Sequence, residues 1–131
     1  MSMKIYIVLI SFTIINACNI EVRLSNAVAG KSKIQVQVPG PNFDKSVFFT
    51  GPTTKSIQVN GPNCGGGQWK ITAYKYTPKT VDGKKVDAYT PTSDLKTTFD
   101  GNGYVRIMIE ANFHMWVNDR AGITCSGGQC A

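Results

Sequence analysis

One stretch of the chain, residues 104–118, constrains the fold more than any other because apolar and polar residues alternate along it. Every odd-numbered position from Val105 to Val117 is apolar, whereas the even-numbered positions are mostly polar or amphipathic. A period of two predicts a β-strand with one buried face, and the valine and isoleucine content favours a strand over a helix. Since a straight strand of this length is unusual, the sequence predicts a bend or bulge near residues 110–112.

The rest of the chain repeats this alternation in shorter units. From Asn19 onward, short runs of alternating apolar residues are separated by Gly, Pro and Asn, which supply turn conformations. No segment has a convincing helical period. The sequence therefore predicts an all-β domain of about seven to nine strands. The expected architecture is a Greek-key antiparallel β-sandwich of the immunoglobulin-like or transthyretin-like kind, with a closed barrel as the alternative.

Residues 1–17 have the features of a secretory signal peptide. Lys4 supplies a positive charge, an apolar run follows it, and Ala17 is a small residue at the expected cleavage site. The apolar run is too short for a transmembrane helix. The expected division is a signal peptide at residues 1–17 and a secreted, extracellular domain at residues 18–131. In the alternative interpretation, residues 15–18 form a bacterial lipobox that acylates Cys18 and leaves an odd number of cysteines.

Four cysteines remain in the expected mature chain: Cys18, Cys64, Cys125 and Cys130. An even number of cysteines in a short secreted chain predicts two disulfides, and the sequence leaves three pairings open. Their spacing does not match a zinc knuckle, and a single histidine cannot form a multi-histidine metal site. We therefore expect no metal and no other cofactor.

Two local motifs predict turns. Residues 100–103, Asp-Gly-Asn-Gly, are typical of a hairpin turn, and they lack the carboxylates that an EF-hand calcium loop requires. Tyr104 follows them in the position of a tyrosine corner, where its hydroxyl would bond to backbone. The three glycines that follow Cys64 predict a flexible connection beside a disulfide, because no phosphate-loop lysine and helix follow them.

Residues that could support catalysis are few. His114 is the only histidine, and the strand pattern places it one step from Trp116, as a rim site packed on that indole. The carboxylates are scattered, and nothing singles out a glycosidase pair. The sequence therefore predicts no enzyme and no catalytic residue. A small secreted hydrolase that uses carboxylates is the alternative.

Basic charge is the most suggestive functional feature, since the chain has a formal net charge of +6. Five lysines lie between residues 70 and 85, interleaved with two tyrosines and only one acid. A basic face with aromatic rings can hold an anionic polymer by charge and by stacking, although an ordinary solvated face has the same composition. The candidate anion- or glycan-binding residues are Lys70, Tyr74, Lys75, Tyr76, Lys79, Lys84 and Lys85.

Several of these features together resemble the nematode secreted clade V protein family. They are the short export signal, Cys18 at the start of the mature chain, the Cys-Gly-Gly-Gly-x-Trp-x-Ile segment at residues 64–71, and the Asn-Phe-His-Met-Trp-Val-Asn segment at residues 112–118. The resemblance implies an exported protein of unassigned biochemical activity. It implies no catalytic residues.

The expected function is that of a secreted, disulfide-stabilised interaction module that binds an extracellular protein or an anionic glycan. Sequence-specific binding of nucleic acid is not expected. A structural component of the extracellular matrix is a further alternative. Two carboxylates near His114 in a cleft would favour the hydrolase, whereas a flat aromatic and basic patch would favour binding.

Overall fold

The computed structural model describes residues 17–130, so the expected signal peptide lies outside the described residues, apart from Ala17. The strands are β1 Ala17–Asn26, β2 Ser32–Val38, β3 Phe43–Phe49, β4 Thr53–Pro62, β5 Trp69–Tyr76, β6 Lys79–Val81, β7 Lys84–Val86, β8 Tyr89–Ile109 and β9 Met115–Gly128. One 3-10 turn, Cys64–Gly66, precedes β5. The all-β prediction is confirmed. No helix in this part of the chain is long and apolar enough to span a membrane.

Seven strands form one sheet around the long strand β8. Their order is β3-β2-β5-β8-β1-β4, and β9 also pairs with β8. The first half of β8 pairs with β5 and the second half with β1. The terminal strands of this order, β3 and β4, follow each other in the chain, and the sheet is nearly closed, like a barrel. Strands β6 and β7 form a separate ribbon.

One strand pair departs from the expected antiparallel arrangement. β1 runs parallel to β8 from Asn19 to Asn26, so the sheet is mixed. A parallel pair needs a long crossover connection, and here the six intervening strands provide it. The alternation of apolar residues shows which face of a strand is buried, but it contains no information about the direction of the neighbouring strand.

The core consists of the side chains that point to the inside of the sheet. The residues that the alternation predicts as core and that are buried include Trp69, Ile71, Val105, Ile107, Ile109, Met115 and Val117. Trp69 packs edge-to-face against Phe99, with ring centroids 5.1 Å apart. Phe113, also predicted as core, is only partly buried against the cluster.

Residues 104–118 form two strands, so the prediction of one bent strand was wrong. β8 ends at Ile109 and β9 begins at Met115, with a turn at residues 110–114. In this turn the Glu110 N–H donates to the His114 carbonyl, and the Phe113 N–H donates to the Glu110 carbonyl, both at 2.8 Å. Because Ile109 pairs with Met115 across five residues, odd-numbered residues face the core on both strands. A hairpin of this length therefore preserves the alternation of a single strand.

The turn predicted at residues 100–103 is also absent, because β8 continues through these residues with a shift in its register against β9. Gly103 has φ +155°, and a Cβ atom there would collide with the Ala121 carbonyl oxygen. The glycine thus permits a close approach of two backbones. Tyr104 does not form a tyrosine corner, since its hydroxyl donates to the Asp119 carboxylate at 2.8 Å.

Two disulfides are present, which confirms that prediction and identifies the pairing. Cys18 is bonded to Cys64 and Cys125 to Cys130, each with Cα atoms 5.9 Å apart. No described cysteine is free. The first bond ties the start of β1 to the 3-10 turn, which takes the place of the expected flexible connection.

Phe113 gives a test of the strain in the β8–β9 turn. Its φ of +71° lies in the left-handed region that disfavours any residue with a Cβ atom. Phe113→Gly and Phe113→Ala both remove the ring, but only glycine relieves the backbone strain. We expect the glycine variant to be more stable than the alanine variant by about 1 kcal/mol, measured by urea unfolding. Greater stability of the alanine variant would contradict this conformation of the turn.

Candidate ligand-binding face

The outer surface of β3, β2, β5 and the first half of β8 carries a cluster of aromatic and basic side chains. We name it the aromatic–lysine face; it consists of Lys31, Lys33, Phe48, Tyr74, Tyr76 and Tyr89. The strand register places Lys33 directly between Phe48 and Tyr74 and Tyr76 opposite Tyr89. Since paired strands are about 4.8 Å apart, these side chains form a continuous platform on the outer surface.

The aromatic rings of the platform touch one another. Phe48 and Tyr89 have ring centroids 5.6 Å apart at 66°, and Tyr76 and Tyr89 have centroids 5.5 Å apart at 55°. Such tilted contacts are the favoured geometry for aromatic pairs. Phe48 is nonetheless 52% exposed, so a large apolar surface on this platform remains available for a ligand.

The Lys33 ammonium lies among these rings. Its Nζ atom is 4.0 Å from the Tyr74 ring centroid and 5.6 Å from that of Tyr89, which are cation–π distances. The only ion pairs among residues 17–130 are Arg23 with Glu21 and Lys31 with Asp87. Lys33 therefore has no carboxylate partner in this part of the chain, and its N–H donors can serve a bound anion.

Lys31, by contrast, belongs to a small polar network with Asp87 and Tyr76. The Tyr76 hydroxyl donates to Asp87 Oδ1 at 2.6 Å, and Lys31 Nζ lies 3.4 Å from the same carboxylate. The hydrogen bond from Tyr76, with a further contribution from Lys31, lowers the pKa of Asp87. The same hydrogen bond raises the pKa of Tyr76. This network fixes the Tyr76 ring beside Tyr89.

The Asp87 carboxyl provides a pH test of this network. Because its folded-state pKa is lowered, the contact contributes stability above the unfolded-state pKa, about 3.9, and the contribution is lost as the pH falls through the folded-state value. Tyr76→Phe should raise the pKa of Asp87 toward its ordinary value, whereas Tyr74→Phe should leave it unchanged. An NMR titration of the Asp87 carboxyl measures both. Equal pKa values in the parent and Tyr76→Phe would disprove the contact.

A second basic group lies on the same surface. Lys70 is directly opposite Lys96 across the β5–β8 pair, an arrangement of like charges that destabilises a sheet. Lys70 also lines an open cleft of about 310 Å³ with Gln37 and Asp44. It is four residues from Tyr74 along β5, a distance of about 13 Å. The surface thus has two positively charged positions spaced along the direction of β5, namely Lys33 beside Tyr74 and Lys70 beside Lys96.

Two other acids on this surface, Asp44 and Asp94, are engaged by neutral side chains. Asp44 accepts hydrogen bonds from Gln35 at 2.9 Å and Gln37 at 3.4 Å. Asp94 accepts one from Thr72 at 2.9 Å. Neither of these two acids lies within 4.0 Å of a lysine Nζ in the described chain, so neither forms an ion pair with a lysine of this surface.

The sequence prediction is only partly reproduced by this surface. Lys70, Tyr74 and Tyr76 share the outer face of β5, as the strand alternation predicted. Lys75 has the opposite orientation and lies at the end of the strand, where it lines another cleft. Lys79, Lys84 and Lys85 are exposed on the β6–β7 ribbon. The seven candidates therefore divide among three locations.

Sequence reasoning missed four members of the face: Lys31, Lys33, Phe48 and Tyr89. They come from β2, the residue before it, β3 and β8, and only the sheet order brings them to β5. One signal was present in the sequence, because Phe48 and Phe49 are adjacent in a strand and adjacent strand residues face opposite sides. One of the two rings must therefore be outside the core.

The outer surface of β1, β9 and the second half of β8 has a different character, because several of its charged side chains contact one another or a tyrosine. Arg23 Nε donates to Glu21 at 2.6 Å, and the Arg23 guanidinium lies 3.8 Å from the Tyr104 ring centroid. The hydrogen bond from Tyr104 to Asp119 raises the pKa of Tyr104. Arg23, Glu21 and Asp119 therefore have partners within the protein, whereas the buried Arg106 Nε has no hydrogen-bond partner in the described chain.

The predicted rim residues His114 and Trp116 are both exposed and lie at the β8–β9 turn and on β9. Trp116 is opposite Met108, and the His114 backbone N–H donates to the Asn112 side chain at 3.0 Å. Within residues 17–130, no three His, Cys, Asp or Glu side chains are close enough to hold a metal ion. This region does not join the aromatic–lysine face.

Comparison with known proteins assigns no family. No family model matches the chain, and no curated protein matches its sequence. The resemblance to the nematode secreted clade V protein family therefore stays a prediction, and the function must be inferred from the geometry of the site.

Proposed function

We propose that this protein is a secreted extracellular binding module that holds an anionic glycan on the aromatic–lysine face. The observation that supports this most directly is the Lys33 ammonium. It has no carboxylate partner in the described chain, and it lies within cation–π distance of the Tyr74 and Tyr89 rings on the outer surface of the sheet. The features of an export signal and the two disulfides support an oxidising, extracellular setting.

The chemistry of an acidic sugar fits both parts of the platform. One side of a pyranose ring presents C–H groups, which pack well on exposed aromatic rings such as Phe48 and Tyr89. Sulfate and carboxylate groups accept charge-assisted hydrogen bonds from ammonium groups such as that of Lys33. The Lys70–Lys96 pair lies about 13 Å from Tyr74 along the strand direction. This second positive position favours a polymer with repeated charges over a single small anion.

The carboxylates near the platform support binding rather than hydrolysis. A glycosidase needs two carboxyl groups, roughly 5 to 9.5 Å apart, that are free to act on the sugar. Here Asp87 is held by Tyr76 and Lys31, and Asp44 is held by Gln35 and Gln37. These acids position other side chains, and neither lies beside the free Lys33 ammonium.

The proposal predicts that one lysine matters much more than another of equal charge. Lys33→Gln removes the platform cation, whereas Lys45→Gln removes the same charge from an exposed position on β3. On a cation-exchange resin both variants should elute alike. On immobilised heparin only Lys33→Gln should bind more weakly, by about tenfold or more, the size of a lost charge-assisted hydrogen bond. If Lys33→Gln and Lys45→Gln shifted the elution equally on heparin as well as on the cation-exchange resin, only the net charge would be recognised.

The aromatic rings can be tested separately through the salt dependence. Each lysine that contacts a polyanion adds to the salt slope through counterion release, whereas an aromatic ring does not. Phe48→Ser should therefore weaken heparin binding with little change of slope, and Lys33→Gln should lower the slope by about one ion. Unchanged heparin affinity in Phe48→Ser would exclude this ring from the site.

A further inference from the structure

A separate cleft of about 490 Å³ lies where the β1–β2 connection, the end of β5 and the β8–β9 turn meet. This volume is within the range of small-molecule sites, roughly 300 to 1,000 Å³. Small and apolar side chains line one part of it, among them Ala29, Ala111 and Phe113. Lys75, Lys31 and Tyr76 also line it. The cleft thus combines an apolar surface with positive charge.

The two lysines of the cleft differ in their freedom to bind an anion. Lys31 is paired with Asp87. Lys75 is exposed, and its ammonium makes no ion pair within residues 17–130. Lys75 is therefore the lysine of this cleft whose ammonium is free to bind an anionic ligand.

Two further features at this end of the sheet are unfavourable for the protein alone. The Ser32 hydroxyl is fully buried and has no hydrogen-bond partner in the described chain. Ser32 follows Lys31 in the chain and is the backbone partner of Lys75 in the strand register. Phe113 is held at φ +71° with its ring at the cleft. Strain and unsatisfied polar groups of this kind concentrate at binding sites.

We propose that this cleft binds a small amphipathic carboxylate of the fatty-acid type. The carboxylate would pair with Lys75, and the hydrocarbon would lie against Phe113, Ala29 and Ala111. An apolar molecule without a charge leaves Lys75 unpaired, and an amine is repelled by it. Lys31 and Tyr76 also belong to the aromatic–lysine face, so the cleft borders that face, but Lys33, Phe48, Tyr74 and Tyr89 do not line it.

Calorimetric titration with decanoate tests this site, with decanol as the uncharged ligand of equal chain length. We expect one decanoate per chain and at least tenfold weaker binding of decanol, the ratio that corresponds to one charge-assisted hydrogen bond. Lys75→Gln should reduce decanoate affinity by a similar factor, whereas the charge-matched Lys45→Gln should not. Ala111→Trp, at an exposed turn position, should fill the cleft and abolish binding.

Several outcomes would overturn the proposal. Equal affinity for decanol and decanoate, or many weak decanoate sites per chain, would mean that the molecule acts only as a detergent. Unchanged decanoate binding in both Lys75→Gln and Ala111→Trp would place any site elsewhere. Because Ala111 lies outside the aromatic–lysine face, heparin binding by Ala111→Trp should equal that of the parent. This readout confirms that the variant is folded, and it separates a failure of this site from a failure of the glycan site.

Discussion

Replacing Trp69 with alanine is expected to destabilise the protein by about 3 to 5 kcal/mol. The Trp69 side chain is fully buried, packs edge-to-face on Phe99 at 5.1 Å, and donates its indole N–H to the Cys64 carbonyl at 2.9 Å. It therefore joins the core, the strand β5 and the disulfide-linked 3-10 turn. Alanine would leave a large cavity and an unsatisfied buried carbonyl at the same time.

Two other variants separate these contributions in urea unfolding. Trp69→Phe keeps most of the apolar volume but loses the hydrogen bond, so a smaller cost of about 1 to 3 kcal/mol is expected. Trp116→Ala removes an indole that is 37% exposed and should cost much less than Trp69→Ala. Similar losses at Trp69 and Trp116 would show that the assignment of the core is wrong.

Removing the Cys18–Cys64 disulfide is expected to cost about 4 kcal/mol, and removing Cys125–Cys130 about 2 kcal/mol. The difference arises because the first bond closes a loop with a sequence separation of 46 and the second a loop with a separation of 5. The longer loop restricts the unfolded chain more. Cys18 and Cys64 are also buried, whereas Cys125 is only partly buried.

Double alanine variants, one for each bond, measure these costs by urea unfolding without a change of redox conditions. The ranking is more informative than either value, because both variants lose two sulfur atoms and one crosslink. A larger loss from the Cys125–Cys130 pair would contradict the loop-closure explanation.

The sequence could predict which side of each strand is buried, because that property depends on nearest neighbours in the chain. Val105, Ile107 and Ile109 face the core for this reason. The same alternation could not locate the turn at residues 110–114. Ile109 and Met115 are both odd-numbered, so the alternation of apolar and polar residues continues unchanged across the turn. It also could not predict that β1 pairs in parallel with β8, because strand order is set by contacts between distant segments.

The candidate site shows the same limit. Lys70, Tyr74 and Tyr76 were predicted together because they share one face of a single strand. Lys33 and Tyr89 join them only through the order β2-β5-β8, which no local pattern contains. The sequence grouped Lys79, Lys84 and Lys85 with these residues, whereas the structure places the three lysines on the β6–β7 ribbon.

The most direct test of the proposed function is to map a sulfated heparin oligosaccharide onto the isotopically labelled protein by NMR chemical-shift perturbation. Binding at the aromatic–lysine face predicts the largest changes at Lys33, Phe48, Tyr74 and Tyr89, with smaller changes toward Lys70. The Lys33→Gln variant should lose these changes and keep its other resonances. Perturbations confined to the β6–β7 ribbon or to Trp116, or spread evenly over all exposed lysines, would contradict the proposal.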